Sequence, residues 1–143
     1  MQPPDRYIPT RDLATFHGVP KEYLSKALQA LAQAGLVEST LGPSGGYRLS
    51  RKPEDITFLD IVEAIEGPRN TFACTNIIAN NPCLDSSTKN HGVCQIARVM
   101  HRADEAWRAE LRAMTIARLT EQLKVELPGR LLQRNQDWFL QKD

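Results

Sequence analysis

A glycine-rich turn followed by a short alternating segment, GPSGGYRLS at residues 42–50, constrains this chain more than any other feature. Glycine supplies the φ > 0 conformations of tight hairpin turns. Residues 36–41 and 47–49 on either side of the turn are typical of two short strands. Because side chains alternate along a strand, Arg48 points away from the side that Tyr47 and Leu49 occupy. The segment therefore predicts a β-hairpin that carries an arginine outward.

Two helices are predicted before the hairpin. Thr10 as an N-cap begins a short helix over residues 11–16, which His17-Gly18 ends. Pro20 suits the first position of a second helix over residues 20–34. The apolar residues of that helix fall on one stripe and leave a polar outer face. They are Tyr23, Leu24, Ala27, Leu28 and Leu31.

The remaining chain predicts further helices and one long loop. Thr57 and Asp60 have capping-box spacing for a helix that Gly67 stops. Residues 68–93 are rich in Asn, Ser, Thr, Pro and Gly, and a loop of this length is uncommon in a compact domain unless it has a function or is disordered. A long helix at residues 94–114 combines an apolar stripe that includes Trp107 with an opposite polar face. That face carries Arg98, Glu105, Arg108 and Arg112.

The order of these elements predicts the fold class. A short helix, a turn, a longer helix with a polar outer face and a glycine-tipped hairpin form a winged helix-turn-helix, so the chain is mainly α with a small β-hairpin wing. The apolar stripe of the long helix would stay exposed unless a partner subunit covered it, which indicates a homodimer. The predicted units are a DNA-binding domain at 1–67, a cysteine-bearing sensor loop at 68–93, a dimerisation helix with a short terminal helix at 94–126, and a tail at 127–143. The tail is either a docked amphipathic turn or a frayed end.

The distribution of charge indicates duplex DNA as the partner. The whole chain has a net charge of +1, but residues 1–52 hold seven Lys or Arg against four Asp or Glu. In a winged helix the second helix enters the major groove, basic side chains flank it on phosphates, and the wing lies along the backbone. The alternative is a helical hairpin with a solvated face and a merely tight turn. The candidate DNA-binding residues are Arg11, Lys21, Ser25, Lys26, Gln29, Gly45, Gly46, Arg48 and Arg51.

Residues 20–67 resemble the IscR, NsrR, RirA and CymR family of bacterial winged-helix regulators. The resemblance rests on GLV at 35–37, GPSGGYRL at 42–49 and ITFLDIVEAIEG at 56–67, and it extends more loosely to about residue 120. It implies a cytoplasmic, homodimeric transcription factor that binds a pseudo-palindromic operator, expected to act as a repressor. It also implies a response to redox, iron–sulfur or cysteine status. Ser25 matches the position that tunes sequence choice in the family.

Two positions depart from the family pattern. Members normally begin with a further helix, whereas this chain enters almost directly at IPTRDLATFHGV, so either the start is truncated or the packing of that end differs. Cluster-binding members commonly have an arginine before the wing Gly-Pro, where this chain has Leu41.

The three cysteines are the candidate metal ligands. Cys74, Cys83 and Cys94 lie in the loop region in family order, and thiolates suit iron–sulfur clusters or zinc. The resemblance implies a 2Fe-2S or 4Fe-4S cluster, although the cysteines are spaced more widely than in cluster-binding relatives. Thiol redox sensing without metal and inert thiols remain alternatives. The fourth ligand is left open among His91, His101, Asp85 and a residue of the other subunit.

Other functional classes are less compatible with the sequence. A winged-helix module that binds a metabolic enzyme, with cysteines that ligate no metal, is the alternative function. An enzyme using Cys74 or Cys94 with a histidine base is not expected, because no glycine-rich phosphate cradle is present and nothing orients the histidine. An odd cysteine count and the absence of any apolar run near ~20 residues indicate a reducing, cytoplasmic setting and no membrane partner.

Overall fold

The computed structural model describes residues 6–68, 72–75, 77–85 and 94–142. Its helices are α1 (Thr10–His17), α2 (Lys21–Gln33), α3 (Phe58–Glu66), α4 (Gln95–Ala113), α5 (Ile116–Glu126) and α6 (Gly129–Leu140). The two strands are β1 (Val37–Thr40) and β2 (Gly46–Leu49), and short 3₁₀ turns cover Pro53–Asp55 and Ile77–Asn80. No helix within these ranges is both long and apolar enough to cross a membrane.

The helices and the hairpin of the first half of the chain lie where the sequence predicts them, but Pro20 is the N-cap of α2, with an extended backbone, and Lys21 is the first helical residue. Strands β1 and β2 pair antiparallel, with Val37 opposite Leu49 and Thr40 opposite Gly46. The side chain of Thr57 accepts from the backbone N–H of Asp60, whose carboxylate accepts from the backbone N–H of Thr57, so the predicted capping box at the start of α3 is confirmed. The winged helix-turn-helix order is therefore present.

The predicted N-cap of α1 is wrong by one residue. Pro9 takes that position with an extended backbone, and Thr10 is the first helical residue. The backbone N–H groups of Asp12 and Leu13 both donate to the carbonyl of Pro9. The carbonyl of Pro9 therefore accepts the first bonds of the helix, and no side chain caps α1.

A small core joins the winged helix to the start of α4. Ile56 is 1% exposed, and the other buried apolar side chains come from α1, α2, α3, α4 and the turn before β1. They are Ala14, Leu28, Leu36, Leu59 and Ala97. The two parts are also linked through backbone, because the N–H of Phe58 donates to the carbonyl of Met114 and the N–H of Ile116 donates to the carbonyl of Ile56.

The tail that the sequence left undecided is a helix docked on α1. Phe16 of α1 packs against two rings of α6, with ring centroids 5.2 Å from Trp138 and 4.8 Å from Phe139. Arg6 also donates from Nη2 to the carbonyl of Phe139 at 3.1 Å. The C-terminal helix therefore covers the outer side of the first helix of the helix-turn-helix.

Candidate DNA-binding surface and cysteine pocket

The outer face of α2 carries the polar side chains that the sequence singled out. Lys21, Lys26 and Gln29 are exposed and Ser25 is half-buried, whereas Leu28 is buried in the core. The amphipathic pattern therefore leaves one continuous polar surface on the second helix. Its width and length suit the major groove of duplex DNA.

Tyr23 was predicted to pack with the apolar stripe of α2, and this prediction is wrong. Its side chain is 70% exposed. Each residue turns the helix by about 100°, which sets Tyr23 at the edge of the stripe rather than at its centre. Sequence reasoning missed it as a surface residue, although an amphipathic tyrosine in the first turn was the available signal. Tyr23 is a surface neighbour of Lys26, three residues further along the helix.

The glycines of the hairpin serve its internal packing. The backbone N–H of Gly45 donates to the carbonyl of Gly42, which closes the turn. A Cβ atom on Gly46 would lie 2.2 Å from the carbonyl oxygen of Ile8, so this glycine lets β2 approach the segment before α1. Leu41 at the tip is 97% exposed. The wing is therefore a hairpin that contacts the N-terminal segment through its backbone, with an apolar side chain at its tip.

Arg48 does not project freely outward as the strand alternation predicted. Its guanidinium forms an ion pair with Glu38 on the facing strand and stacks 4.4 Å from the ring centroid of Tyr7. The cross-strand pairing of Glu38 with Arg48 brings the two charges together. Arg48 thus holds the hairpin to the N-terminal segment, and any contact with phosphate would compete with Glu38.

The remaining basic candidates flank the helix-turn-helix. Arg11 in the first turn of α1 has a side chain that is 67% exposed, and its Nε lies 3.4 Å from the carboxylate of Asp12. Arg51 follows the hairpin and is exposed. The two arginines come from different ends of the module, as expected for groups that position a protein on phosphates.

An ion bridge joins α4 to α3. Arg108, predicted on the solvent-facing side of the long helix, has a side chain that is only 11% exposed. Its Nη1 lies 2.8 Å from Glu63 and its Nε 3.2 Å from Asp104. The hydrogen bond to Asp104, followed by the charges of Asp104 and Glu63, raises the pKa of Arg108 above its ordinary value against the opposing effect of burial. The polar-face prediction for Arg108 is wrong because α3 occupies that side.

The apolar stripe of α4 faces solvent in the single chain. Ile96 is 70% exposed, and Val99, Met100 and Trp107 are each more than 40% exposed. The side of α4 that packs on its own chain is formed by Ala97, Asp104 and Arg108 instead. A contiguous apolar surface of this kind is rare on a protein that works alone.

Two of the three cysteines line one apolar cavity. Cys74 and Cys94 face a space of about 180 Å³ whose walls include Phe72, Ile77 and Ala97. Cys94 is the N-cap residue of α4. Cys83 is exposed and does not line the cavity, and within the described residues no three His, Cys, Asp or Glu side chains form a group that could hold a metal ion. The described geometry therefore supplies two of the thiolates that a cluster would take.

The candidates for a fourth ligand are separated in space or undescribed. The ring of His101 lies edge-on to Phe72, with centroids 5.5 Å apart, next to the wall of the cavity. Asp85 is exposed and does not line the cavity. His91 lies outside the described residues. The choice between these residues and a residue of a second subunit therefore stays open.

The fold and the exposed polar face of α2 define a winged helix-turn-helix protein of the DNA-binding class. A structural relative supports the fold: the solved structure of CymR, the global cysteine regulator of B. subtilis, superposes with a TM-score of 0.61 over 82% of this chain and 81% of that chain at 23% identity.

Sequence comparison gives the family. Residues 1–122 match the model of the Rrf2 family, described as an iron-dependent transcriptional regulator. The chain is 33% identical over 112 residues to protein rrf2 of Nitratidesulfovibrio vulgaris, covering 78% of this chain and 70% of that protein. It is 36% identical over 88 residues to an rrf2-like HTH-type transcriptional regulator of Rhodobacter capsulatus, covering 62% of this chain and 57% of that protein. The chain belongs to the Rrf2 family and is a DNA-binding transcriptional regulator.

Proposed function

We propose that this regulator binds an operator as a homodimer and changes its affinity with the state of its cysteines. The observation that carries the DNA-binding part is the exposed polar face of α2 beside a braced wing. In this proposal Lys21, Ser25, Lys26 and Gln29 meet base edges in the major groove. Arg11 and Arg51 position the module on phosphates, and the wing around Gly45, Gly46 and Arg48 lies along the backbone.

A charge reversal on α2 tests this proposal. Lys26→Glu places a carboxylate in the groove without disturbing the core, because Lys26 is exposed. We expect operator affinity to fall more than about tenfold, since one good contact to a base contributes roughly 1–3 kcal/mol. Lys124→Glu on α5 makes the same charge change at another exposed position and serves as the control. Equal losses in both variants would contradict a specific role for α2.

The exposed apolar stripe of α4 supports the homodimer. Two such stripes packed against each other would remove Ile96, Val99 and Trp107 from water. Trp107→Glu is expected to yield monomers in sedimentation velocity while the winged helix keeps its fold. Operator affinity should fall as well, because half-sites are bound as a pair about one helical turn apart.

The cavity shared by Cys74 and Cys94 supports a sensor at the start of α4. We place the two thiolates as ligands of an iron–sulfur group, with Cys83 as a third, which agrees with the iron-dependent description of the family. A bound cluster would supply redox- and iron-dependent chemistry. A metal-free response of the same thiol pair is the second candidate, favoured by the position of Cys83 outside the cavity.

Anaerobic purification distinguishes the two sensor chemistries. Visible absorption and bound iron that are lost in Cys74→Ser, Cys83→Ser and Cys94→Ser alike would support three cysteine ligands. A colourless, iron-free protein whose DNA affinity depends on oxidation through Cys74 and Cys94, but not Cys83, would support the thiol pair. A DNA affinity that is unchanged by all three substitutions would contradict both sensor chemistries.

The ion bridge supports a route from the sensor to the DNA. Cys94 begins α4, and Arg108 on the same helix is held by Glu63 of α3. A shift at the start of α4 would therefore change the angle between the two winged helices of a dimer, and a change of a few ångströms in their spacing is enough to alter affinity. We place this regulator in the cytoplasm and assign it no catalytic role.

A further inference from the structure

We infer that the C-terminal helix α6 completes a second phosphate-binding site beside the wing, which holds a backbone phosphate of duplex DNA away from the groove that α2 enters. This inference rests on the proposed DNA-binding function and extends it to a part of the chain beyond residue 122, where the match to the family model ends. The site is the cleft between Arg6, Arg11, Lys142 and the wing residues Pro43 and Ser44, called the basic cleft below.

The basic cleft has the composition of an anion site. It is open to solvent, has a volume of about 650 Å³, and draws its three cations from the N-terminal segment, from α1 and from the residues after α6. Of the described residues, none that lines it carries a carboxylate. The exposed side chains of Arg11 and Lys142 carry like charges at one opening, and an anion between them would be attracted to both.

The arginine closest to the helix-turn-helix keeps donors for an incoming phosphate. Arg11 contacts Asp12 through Nε at 3.4 Å, and its side chain remains 67% exposed. A guanidinium has five N–H donors, so this contact leaves most of them for another acceptor. The side chain of Asp12 is 11% exposed and does not line the cleft.

The docking of α6 places Lys142 beside the wing. The rings of Trp138 and Phe139 pack on Phe16, and the ammonium of Lys142 lies 5.0 Å from the centroid of the Trp138 ring. Arg6 ties the same end of α6 to the N-terminal segment through the carbonyl of Phe139. The docking of α6 therefore brings the exposed Lys142 to the cleft.

The surroundings of the basic cleft favour DNA over a small anion. Its rim includes Pro43 and Ser44 of the turn that precedes β2, and Arg11 lies at the start of the first helix of the helix-turn-helix. In proteins of this class that helix crosses the DNA backbone while the second helix enters the groove. A phosphate diester lying along this rim would meet the wing, α1 and Lys142 together.

The salt dependence of DNA binding tests the basic cleft. The probe is a mixed-sequence duplex about three helical turns long, because phosphate contacts do not depend on sequence. We expect Lys142→Ala to reduce the slope of log K against log salt by about 0.9 per chain relative to the wild type. Its affinity loss at 50 mM salt should exceed that at 200 mM by about three- to fourfold per chain. Lys142→Arg should restore the slope, and an unchanged Tm should show that both variants keep the fold.

A matched control lies on the same helix. Arg130 is exposed, is near the other end of α6 and does not line the basic cleft, so Arg130→Ala removes one charge without touching the site. An unchanged slope in Lys142→Ala, or an equal fall in Arg130→Ala, would overturn the inference and leave the proposed function standing. Inorganic phosphate that raises the Tm of the wild type but not of Lys142→Ala, with unchanged slopes, would assign the cleft to a small anion instead. A wild-type protein that binds no duplex at either salt concentration would overturn both.

Discussion

Phe139→Ala removes one ring from the contact between α6 and α1 and should lower the free energy of unfolding by an amount that can be estimated from the structure. Phe139 is half-buried, and its ring centroid lies 4.8 Å from that of Phe16 and 5.0 Å from that of Trp138. Two aromatic pairs contribute about 0.5–1.5 kcal/mol each beyond burial. A fully buried Phe→Ala change costs roughly 3–5 kcal/mol, and a half-buried ring about half of that. The half-buried ring therefore gives at least about 2 kcal/mol for Phe139→Ala, and the two aromatic pairs add to this loss.

Urea unfolding followed by tryptophan fluorescence measures this loss. The chain has two tryptophans, so a Trp107→Phe background leaves Trp138 as the reporter within the ring cluster. With a urea m-value of about 1–3 kcal/mol/M, the midpoint for Phe139→Ala should fall by roughly 1 M. Leu140→Ala removes a 52% exposed neighbour on α6 and is the control. If the two variants shift the midpoint equally, the ring cluster does not hold α6 in place.

Four further predictions concern the core, the wing and the ion bridge. Ile56→Ala empties the site of a side chain that is 1% exposed, so calorimetry should show a lower Tm and a loss of roughly 2–5 kcal/mol. Gly46→Ala forces a methyl group against the carbonyl of Ile8, 2.2 Å away, and should cost about 1–3 kcal/mol in urea unfolding, whereas Gly129→Ala meets nothing within 4 Å and should not destabilise. Leu41→Arg adds a cation at a 97% exposed wing tip and should steepen the salt slope of DNA binding by about 0.9 per chain at unchanged Tm. An unchanged slope would mean that the wing tip does not contact a DNA phosphate. The stabilising contribution of a cation with a raised pKa is lost only as the pH rises through that pKa. The difference in unfolding free energy between the wild type and Arg108→Gln should therefore stay constant from about pH 6 to about pH 9. A change within this interval would contradict the direction of the pKa shift.

The sequence determined the local elements because their signals lie within a few residues of one another. The Thr57 and Asp60 cap, the glycine turn before β2 and the apolar stripe of α4 each need only neighbouring residues, and each is present where the pattern indicated it. The polar face of α2 follows for the same reason. Tyr23 is the exception, because it lies at the edge of the apolar stripe, where tertiary packing decides whether a side chain is buried. The order of these elements was sufficient for the winged-helix fold class.

The tertiary structure decided which charged and aromatic side chains meet. Arg108 contacts Glu63 across 45 positions of sequence and Arg6 contacts the backbone of Phe139 across 133, distances over which no periodic pattern carries information. Arg48 contacts Glu38 on the facing strand and the ring of Tyr7. The alternation of side chains along a strand does not predict these contacts, because it gives only the face of the hairpin on which Arg48 lies. The cavity between Cys74 and Cys94 and the basic cleft at Lys142 likewise form only after distant segments pack together, since their walls come from separate elements of the fold.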